Sequence, residues 1–219
     1  MPTKIHHASY AALSSGELGA WAKIPVTIVS DVSNGAVAVD PRIRPLRSFP
    51  LGSRMVGQAV TAWCERADLG AMLLAIDAAK AGEIVVADAG GCLQTAYVGE
   101  ILSGAARLRK LGGLIVNGAV RDIDTIASWD DFPVFSLGST AKGPLSKERG
   151  AVNGNVVFGG VAASPGDVVL GDNDGLAIIP LAQSSTLLRL AEARVEVEAR
   201  WAADLAAGKT LAEVFGLDG

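Results

Sequence analysis

The sequence predicts a single-domain α/β protein built on parallel βαβ units, and three observations carry that prediction. Short runs rich in Val, Ile and Ala alternate with stretches of helical periodicity through the middle of the chain. Half of the 219 residues are hydrophobic and only 19 % are charged, which is enough apolar material for a sizeable core and far from a disordered composition. Nothing repeats and no linker divides the chain, so residues 1–219 read as one domain.

Residues 1–13 are mixed in character and read as an N-terminal arm. Ser14 and Glu17 have the spacing of a capping box and start a short helix. Pro25 suits the first turn of a second helix, Val26 to Ser33, which Asn34-Gly35 stops. Ala36 to Leu51 contains Pro41, Pro45 and Pro50 and reads as an extended loop over the surface. Met55 to Cys64 is a strand, and Leu69 to Ala79 a helix that ends before Gly82. Glu83 to Asp88 is a short buried strand, followed by Ala89 and a glycine-rich loop. Glu100 to Leu111 is a helix closed by Gly112-Gly113. Leu114 to Asn117 is a strand, Asp122 to Trp129 a short helix, and Pro133 to Leu137 a strand.

The character then changes. Val152 to Val161, Asp167 to Val169 and Leu176 to Ile179 read as strands. The run Asp172-Asn173-Asp174-Gly175 looks like part of a calcium loop, but it lacks the later ligands and the closing glutamate, so it reads as a hairpin turn. Leu181 to Ala207 has the pattern of a long amphipathic C-terminal helix, with Gly208 as its stop. The segment 181–208 is therefore a separate structural feature within the one domain.

Composition removes several function classes. Net charge is −4, and Arg42, Arg44, Arg47 and Arg54 are scattered among prolines, so there is no basic stripe for nucleic acid. Two cysteines, Cys64 and Cys92, are too few for a disulfide framework or a zinc site. Cys64 reads as a core residue and Cys92 as a loop thiol. No apolar leader and no run of membrane-spanning length is present, so a cytoplasmic protein with no membrane partner is expected. The only histidines, His6 and His7, lie in the arm, which argues against Ser-His-Asp or Cys-His catalysis. The glycine loop has neither a P-loop lysine nor a dinucleotide fingerprint. Carboxylates, arginine, lysine and a metal remain.

The stretch from Gly90 to Asp122 concentrates these groups. A planar guanidinium at Arg121 can grip a carboxylate with two hydrogen bonds, and Asp122 can hold a hard divalent cation through oxygen. The bland alternative is a helix start, with Asp122 favouring the positive end of the dipole and Arg121 a surface charge. Glu100 carries the same pair of readings. At the helix end that Glu100 opens, the N–H groups of Ile101 and Leu102 are free to bind an oxyanion, and Gly99 and the glycines before it permit close approach.

Gly99-Glu100, twenty residues, then Arg121-Asp122 resembles the D-x20-R-D motif of the class II pyruvate aldolases, the 4-hydroxy-4-methyl-2-oxoglutarate/4-carboxy-4-hydroxy-2-oxoadipate aldolases, which are related to the RraA-like regulators of ribonuclease E. The likeness runs from about Val26 to Gly208. It includes VGQAVTAW, AGEIVVADAGG, VGEILSGAARLRKLGGLIVNGAVRD, DFPVFSLGSTAKG and SPGDVVLGDNDGLAIIP. It implies an α/β/β/α sandwich of the swivelling, phosphohistidine-domain-like type, assembled as a homotrimer or a hexamer of paired trimers. It implies a small 2-oxo acid substrate, cleaved to pyruvate with Mg²⁺ or Mn²⁺, and oxaloacetate decarboxylation as a side reaction. Asp122 would hold the metal and Arg121 would neutralise the enolate oxygen. Glu100 would position metal-bound water, and the amides of Ile101 and Leu102 would bind the pyruvate carboxylate. Glu198 from a neighbouring subunit's C-terminal helix would complete the metal's outer shell, with Glu196 the second choice. Lys142, Lys147 and Arg149 are candidates to meet a distal carboxylate. The characterised aldolases carry Asp where this chain has Glu100, a displacement of roughly 1.5 Å, one carbon–carbon bond. The ribonuclease regulators typically lose the aspartate after the arginine, and this chain keeps Asp122. A non-catalytic regulator that binds a ribonuclease or another protein is the alternative reading.

Overall fold

The computed structural model describes residues 2–217. In chain order the elements are β1 (Lys4–Ile5), α1 (Ser15–Trp21), α2 (Val26–Val32), β2 (Arg44–Pro45), β3 (Met55–Trp63), α3 (Gly70–Ala78), β4 (Ile84–Val98), α4 (Glu100–Leu108), β5 (Gly113–Val120), α5 (Ile123–Ser128), β6 (Val134–Ser139), β7 (Ala151–Val152), β8 (Val156–Phe158), β9 (Val161–Ala163), β10 (Val168–Gly171), β11 (Leu176–Ile179), α6 (Ser184–Ala206) and α7 (Leu211–Phe215). Strands β3, β4, β5 and β6 pair in parallel. Strand β10 pairs antiparallel with both β11 and the first half of β3.

Three apolar cores lie between four layers, and the period-two alternation of the strands feeds them. On β4, Val85 and Ala87 face the helices α3, α4 and α5, with Met72, Ala106 and Ile126. Ile84 and Val86 face the other way, onto a second sheet whose Val169, Leu176 and Ile178 fill the middle core with Ile115 and Phe135. The opposite face of that second sheet, Val168, Leu170, Ala177 and Ile179, packs on Trp21, Ile28 and Val29 and on Leu187 and Ala191 of the long helix. The result is the α/β/β/α sandwich with a long C-terminal helix that the resemblance implied. No helix of the described residues is long and apolar enough to cross a membrane.

Local signals survive well. Ser14 and Glu17 form the capping box, and Asp172 to Gly175 form the turn of an antiparallel hairpin. The calcium reading of that turn has no support, because Asp172 is committed to the N–H groups of Val26 and Asp174. Several boundaries need correction. The glycine-rich segment after Asp88 is not a loop: β4 continues to Val98, with register shifts at Cys92 and Ala96 that let Gly90 and Gly91 take positive φ inside the strand. The helix expected to reach Leu111 ends at Leu108, where Lys110 turns left-handed and Leu111 dives into the core. The strand expected over Val152 to Val161 is three short strands, β7, β8 and β9. The segment Ala36 to Leu51 is more than a surface wrap, since Val37, Val39 and Ile43 are buried. The arm is pinned: β1 pairs with β7, Tyr10 donates to Glu83 Oε1 at 2.8 Å, and Gln58 Oε1 accepts the Leu13 N–H at 2.8 Å.

Candidate active site at the ends of adjacent parallel strands

Strands β4 and β5 end side by side, with Val98 opposite Val120. The first leads through Gly99 into α4, and the second through Arg121 and Asp122 into α5. The Arg121 N–H donates to the Val98 carbonyl at 3.0 Å, which locks the two exits together. Strand β6 ends alongside, bringing Ser139 and Thr140, and the Thr140 N–H donates to the Val120 carbonyl at 3.0 Å. Ligands of open α/β sheets gather at these carboxyl ends.

Asp122 is left-handed, at φ 57° and ψ 38°, a conformation that aspartate tolerates better than most residues. It does not cap its own helix. The turn instead swings its carboxylate across to α4, where Oδ2 accepts the Glu100 N–H at 3.0 Å and lies 3.6 Å from Arg121 Nε. Asp122 thus keeps a helix-start role, but its carboxylate serves the N-terminus of α4, while at α5 only its backbone carbonyl takes part, accepting the Ile126 N–H at 3.1 Å. The next two N–H groups of α4, on Ile101 and Leu102, have no acceptor among the described residues, as the first turn of a helix requires. Gly99 makes the approach possible: a Cβ there would collide with Asp122 Oδ2 and sit 2.8 Å from Arg121 Cγ. A Cβ on Gly143 would sit 2.8 Å from Arg121 Nη1, so this loop glycine seats the far end of the guanidinium.

Arg121 and Asp122 stand between two hollows. One, of about 400 Å³, is lined further by Ile123, Asp124, Ser139, Thr140 and Ala141. The other, of about 50 Å³, is lined by Gly99, Ile101, Leu102, Tyr97 and Pro144 among others. The expected set of Arg121, Asp122, Gly99, Ile101 and Leu102 is thus brought together. The Glu100 side chain lines neither hollow; its backbone N–H is what reaches the site. Glu198 is on α6, lines neither hollow, and accepts from Arg194 Nε at 2.9 Å. Ser139, Thr140 and Asp124 were not singled out from sequence, because only the β5–β6 pairing brings the first two beside Arg121.

Asp122 Oδ2 is occupied by donors, whereas Oδ1 accepts no hydrogen bond among the described residues. No group of three or more His, Cys, Asp or Glu side chains converges among those residues. One free carboxylate oxygen in an open hollow fits Mg²⁺, which keeps several waters and is held by one or two carboxylates, and does not fit a closed all-protein cage.

The loop that follows β6 and passes Arg121 at Gly143 is anchored at its far end by Asp68. Asp68 has no exposed side-chain surface and accepts from the N–H groups of Gly70 (2.7 Å), Arg149 (2.9 Å) and Glu148 (3.3 Å). Arg149 adds Nε to Asp68 at 3.3 Å and Nη1 to Glu65 at 2.8 Å. Arg149 is consequently committed to this anchor and is withdrawn as a cation for substrate. Burial pushes the Asp68 carboxyl up, but the Ser146 hydroxyl and these N–H groups outweigh it and hold the carboxyl well below the usual carboxylate range. Its stabilisation is complete above the unfolded value near pH 4 and is lost as pH falls from there toward the folded value. Asp68→Asn is expected to cost about 3 kcal/mol at pH 7 and to flatten the acid limb below about pH 4. Urea melts at pH 7 and pH 3 check this; equal losses at both pH values would rule it out.

The cysteines stay outside the chemistry. Burial pushes the Cys64 thiol up to about 12, so it is an inert core residue. Cys92 is half-buried in β4 and not in a loop. Its burial pushes the thiol up, while hydrogen bonding from the Gln94 backbone and the Tyr97 hydroxyl brings it below the ordinary value.

Comparison with known proteins identifies the family and the fold. The RraA-like (Aldolase/RraA) family model matches residues 26–178. A protein of Halalkalibacterium halodurans, named as a candidate 4-hydroxy-4-methyl-2-oxoglutarate aldolase, is 33% identical over 169 residues, covering 77% of this chain and 79% of that one. A protein of Ectopseudomonas mendocina with the same name is 33% identical over 131 residues, covering 58% of this chain and 78% of that one. Among solved structures, an uncharacterised protein from Pseudomonas syringae shares the fold at TM-score 0.81 and 24% identity, covering 94% of this chain and 99% of that one. The RNA-processing inhibitor RraA from Thermus thermophilis aligns at TM-score 0.63 and 26% identity, covering 71% of this chain and 92% of that one. By the family model, the aligned relatives and the shared sandwich, the chain belongs to the RraA-like family.

Proposed function

We propose that the chain is a divalent-metal-dependent aldolase that cleaves 4-hydroxy-2-oxo acids of the 4-hydroxy-4-methyl-2-oxoglutarate type and releases pyruvate. The observation that carries this reading is the pairing of Arg121 and Asp122 over the open N-terminus of α4, beside a hollow of about 400 Å³. The names of the aligned relatives support the same reaction class.

The free amides of Ile101 and Leu102, at the positive end of α4, bind the substrate carboxylate. Arg121 lies next to the 2-oxo oxygen and stabilises the charge that grows there as the carbon–carbon bond breaks. Asp122 Oδ1 would hold Mg²⁺ or Mn²⁺, and the ion would supply a Lewis acid for the 2-oxo group. The Glu100 side chain, which would have to turn in from outside the two hollows, and Glu198 from a neighbouring copy would hold the water that takes up the 4-hydroxyl proton. Assembly as a homotrimer or hexamer would bring Glu198 to the site, and the exposure of Ile101 (79%) and Leu145 (81%) beside it supports a covering copy. The same enolate chemistry would decarboxylate oxaloacetate.

Pyruvate release from 4-hydroxy-4-methyl-2-oxoglutarate and from oxaloacetate, each with Mg²⁺ and with EDTA, tests the reading. Turnover with Mg²⁺ and its loss with EDTA are expected. Absence of pyruvate from both substrates together with absence of deuterium exchange into the methyl group of added pyruvate, in a folded protein, would move the weight to a second reading carried by the likeness to the RNA-processing inhibitor. On that reading the chain binds a ribonuclease without metal, and a pull-down in EDTA detects it.

A further inference from the structure

We propose that the half of the substrate lost as aldehyde or ketone is uncharged and carries hydroxyl groups, so that the chain prefers 4-hydroxy-2-oxo acids with a neutral polyol tail to those with a second carboxylate. The inference rests on the aldolase reading above, keeps its reaction, and ranks the dicarboxylate 4-hydroxy-4-methyl-2-oxoglutarate below a neutral polyol acid as substrate.

With the substrate carboxylate on the α4 amides and the 2-oxo group at Arg121, the remainder of the molecule extends into the larger hollow. Its wall there is Asp124, Ser139, Thr140 and Ala141. The Asp124 carboxylate accepts no hydrogen bond and meets no cation among the described residues. It is an exposed acceptor facing the hollow, and a carboxylate has no donor to offer an anionic tail. Ser139 and Thr140 add two hydroxyls. Thr140 Oγ1 accepts the Lys142 N–H at 3.4 Å, which leaves its own proton free to donate. Such a wall pairs with substrate hydroxyls in both directions and repels a second carboxylate.

The cations that could reverse this are engaged elsewhere or absent from the wall. Arg121 is the only cation lining the hollow among the described residues, and it serves the 2-oxo oxygen. Arg149 is held by Asp68 and Glu65. Lys142 follows Ala141 in sequence, but it is not part of the wall. The step itself is unchanged and balances. The 4-hydroxyl loses its proton, the C3–C4 bond breaks with its electron pair going to C3, and C4 becomes the carbonyl carbon of the leaving aldehyde. A proton returns to C3, so one substrate gives one pyruvate and one hydroxyaldehyde.

A site built to hydrogen-bond substrate hydroxyls discriminates strongly against analogues that lack them. The test compares kcat/KM for pyruvate release from 4,5,6-trihydroxy-2-oxohexanoate and from 4-hydroxy-4-methyl-2-oxoglutarate, in the wild type and in Asp124→Asn, with Mg²⁺. The neutral substrate is expected to lead by at least about tenfold in the wild type. Asp124→Asn is expected to narrow that ratio severalfold, chiefly by improving the dicarboxylate. Deuterium exchange into the pyruvate methyl group reports the enolate site without any tail. Exchange together with a preference for the dicarboxylate, or a ratio unmoved by Asp124→Asn, would overturn the tail assignment alone. Absence of exchange would overturn the aldolase reading and the tail assignment with it.

Discussion

Arg121→Ala and Asp122→Ala are each expected to lower turnover on the order of a thousandfold while the protein stays folded. The two halves of that expectation have separate physical grounds. Arg121 is the one cation between the hollows among the described residues, and a preorganised donor aimed at developing charge is worth most in the transition state. Removing it should therefore appear in kcat more than in KM. The pair contributes little to stability, since both side chains are more than 40% exposed and an exposed ion pair is worth about 1 kcal/mol or less. Asp122→Ala carries one complication. Alanine at φ 57° costs about 1–2 kcal/mol, because its Cβ meets the following carbonyl. Asp122→Asn separates the effects: asparagine tolerates the left-handed turn and can still accept from the Glu100 N–H, but it brings no charge to a cation. Turnover and melting temperature of the three variants should therefore diverge, with activity gone in all and Tm within a few degrees of wild type. Near-wild-type activity in Arg121→Ala or in Asp122→Asn would be incompatible with the proposed site.

Much of this was legible in the sequence, for identifiable reasons. The capping box at Ser14 and the hairpin at Asp172 depend on contacts within a few residues, and both read directly. The same spacing at Thr210 and Glu213 makes a second capping box, for α7. The glycine-rich part of β4 reads as a loop because composition does not distinguish a loop from a bulged strand. Gly90 and Gly91 have the positive φ of turn residues, yet partners on β5 resume at Cys92. The pinning of the arm was invisible because it depends on β7, about 150 residues away. Arg121 and Asp122 were legible as a pair of chemically suitable groups, but the use of Asp122 was not. Only the left-handed backbone reveals that its carboxylate serves the neighbouring helix. The commitment of Arg149 to a buried aspartate was equally hidden, because Asp68 lies 81 positions away.

Gly99→Ala is expected to reduce kcat about a hundredfold without unfolding the protein, since misplacing a catalytic group by about 1 Å has that effect. Backbone strain is not the reason: Gly99 sits at φ −143°, where any residue is comfortable. The reason is space. The added methyl group would collide with Asp122 Oδ2 and stand 2.8 Å from Arg121 Cγ and 3.1 Å from Arg121 Nε. Both functional groups must move at once, and the Glu100 N–H loses the acceptor that fixes Asp122 to α4. Five residues on and inside α4, Gly104 has only Trp129 near, at 3.7 Å, an ordinary contact. Gly104→Ala should keep full activity and raise stability by up to about 1 kcal/mol through helix propensity. The two variants make the same chemical change on one element, so their comparison isolates the close approach at the site from any general effect on α4. Activity and urea midpoint, measured for both, decide the matter. If Gly99→Ala and Gly104→Ala are equally active, the tight seating of Arg121 and Asp122 against α4 is not what organises catalysis.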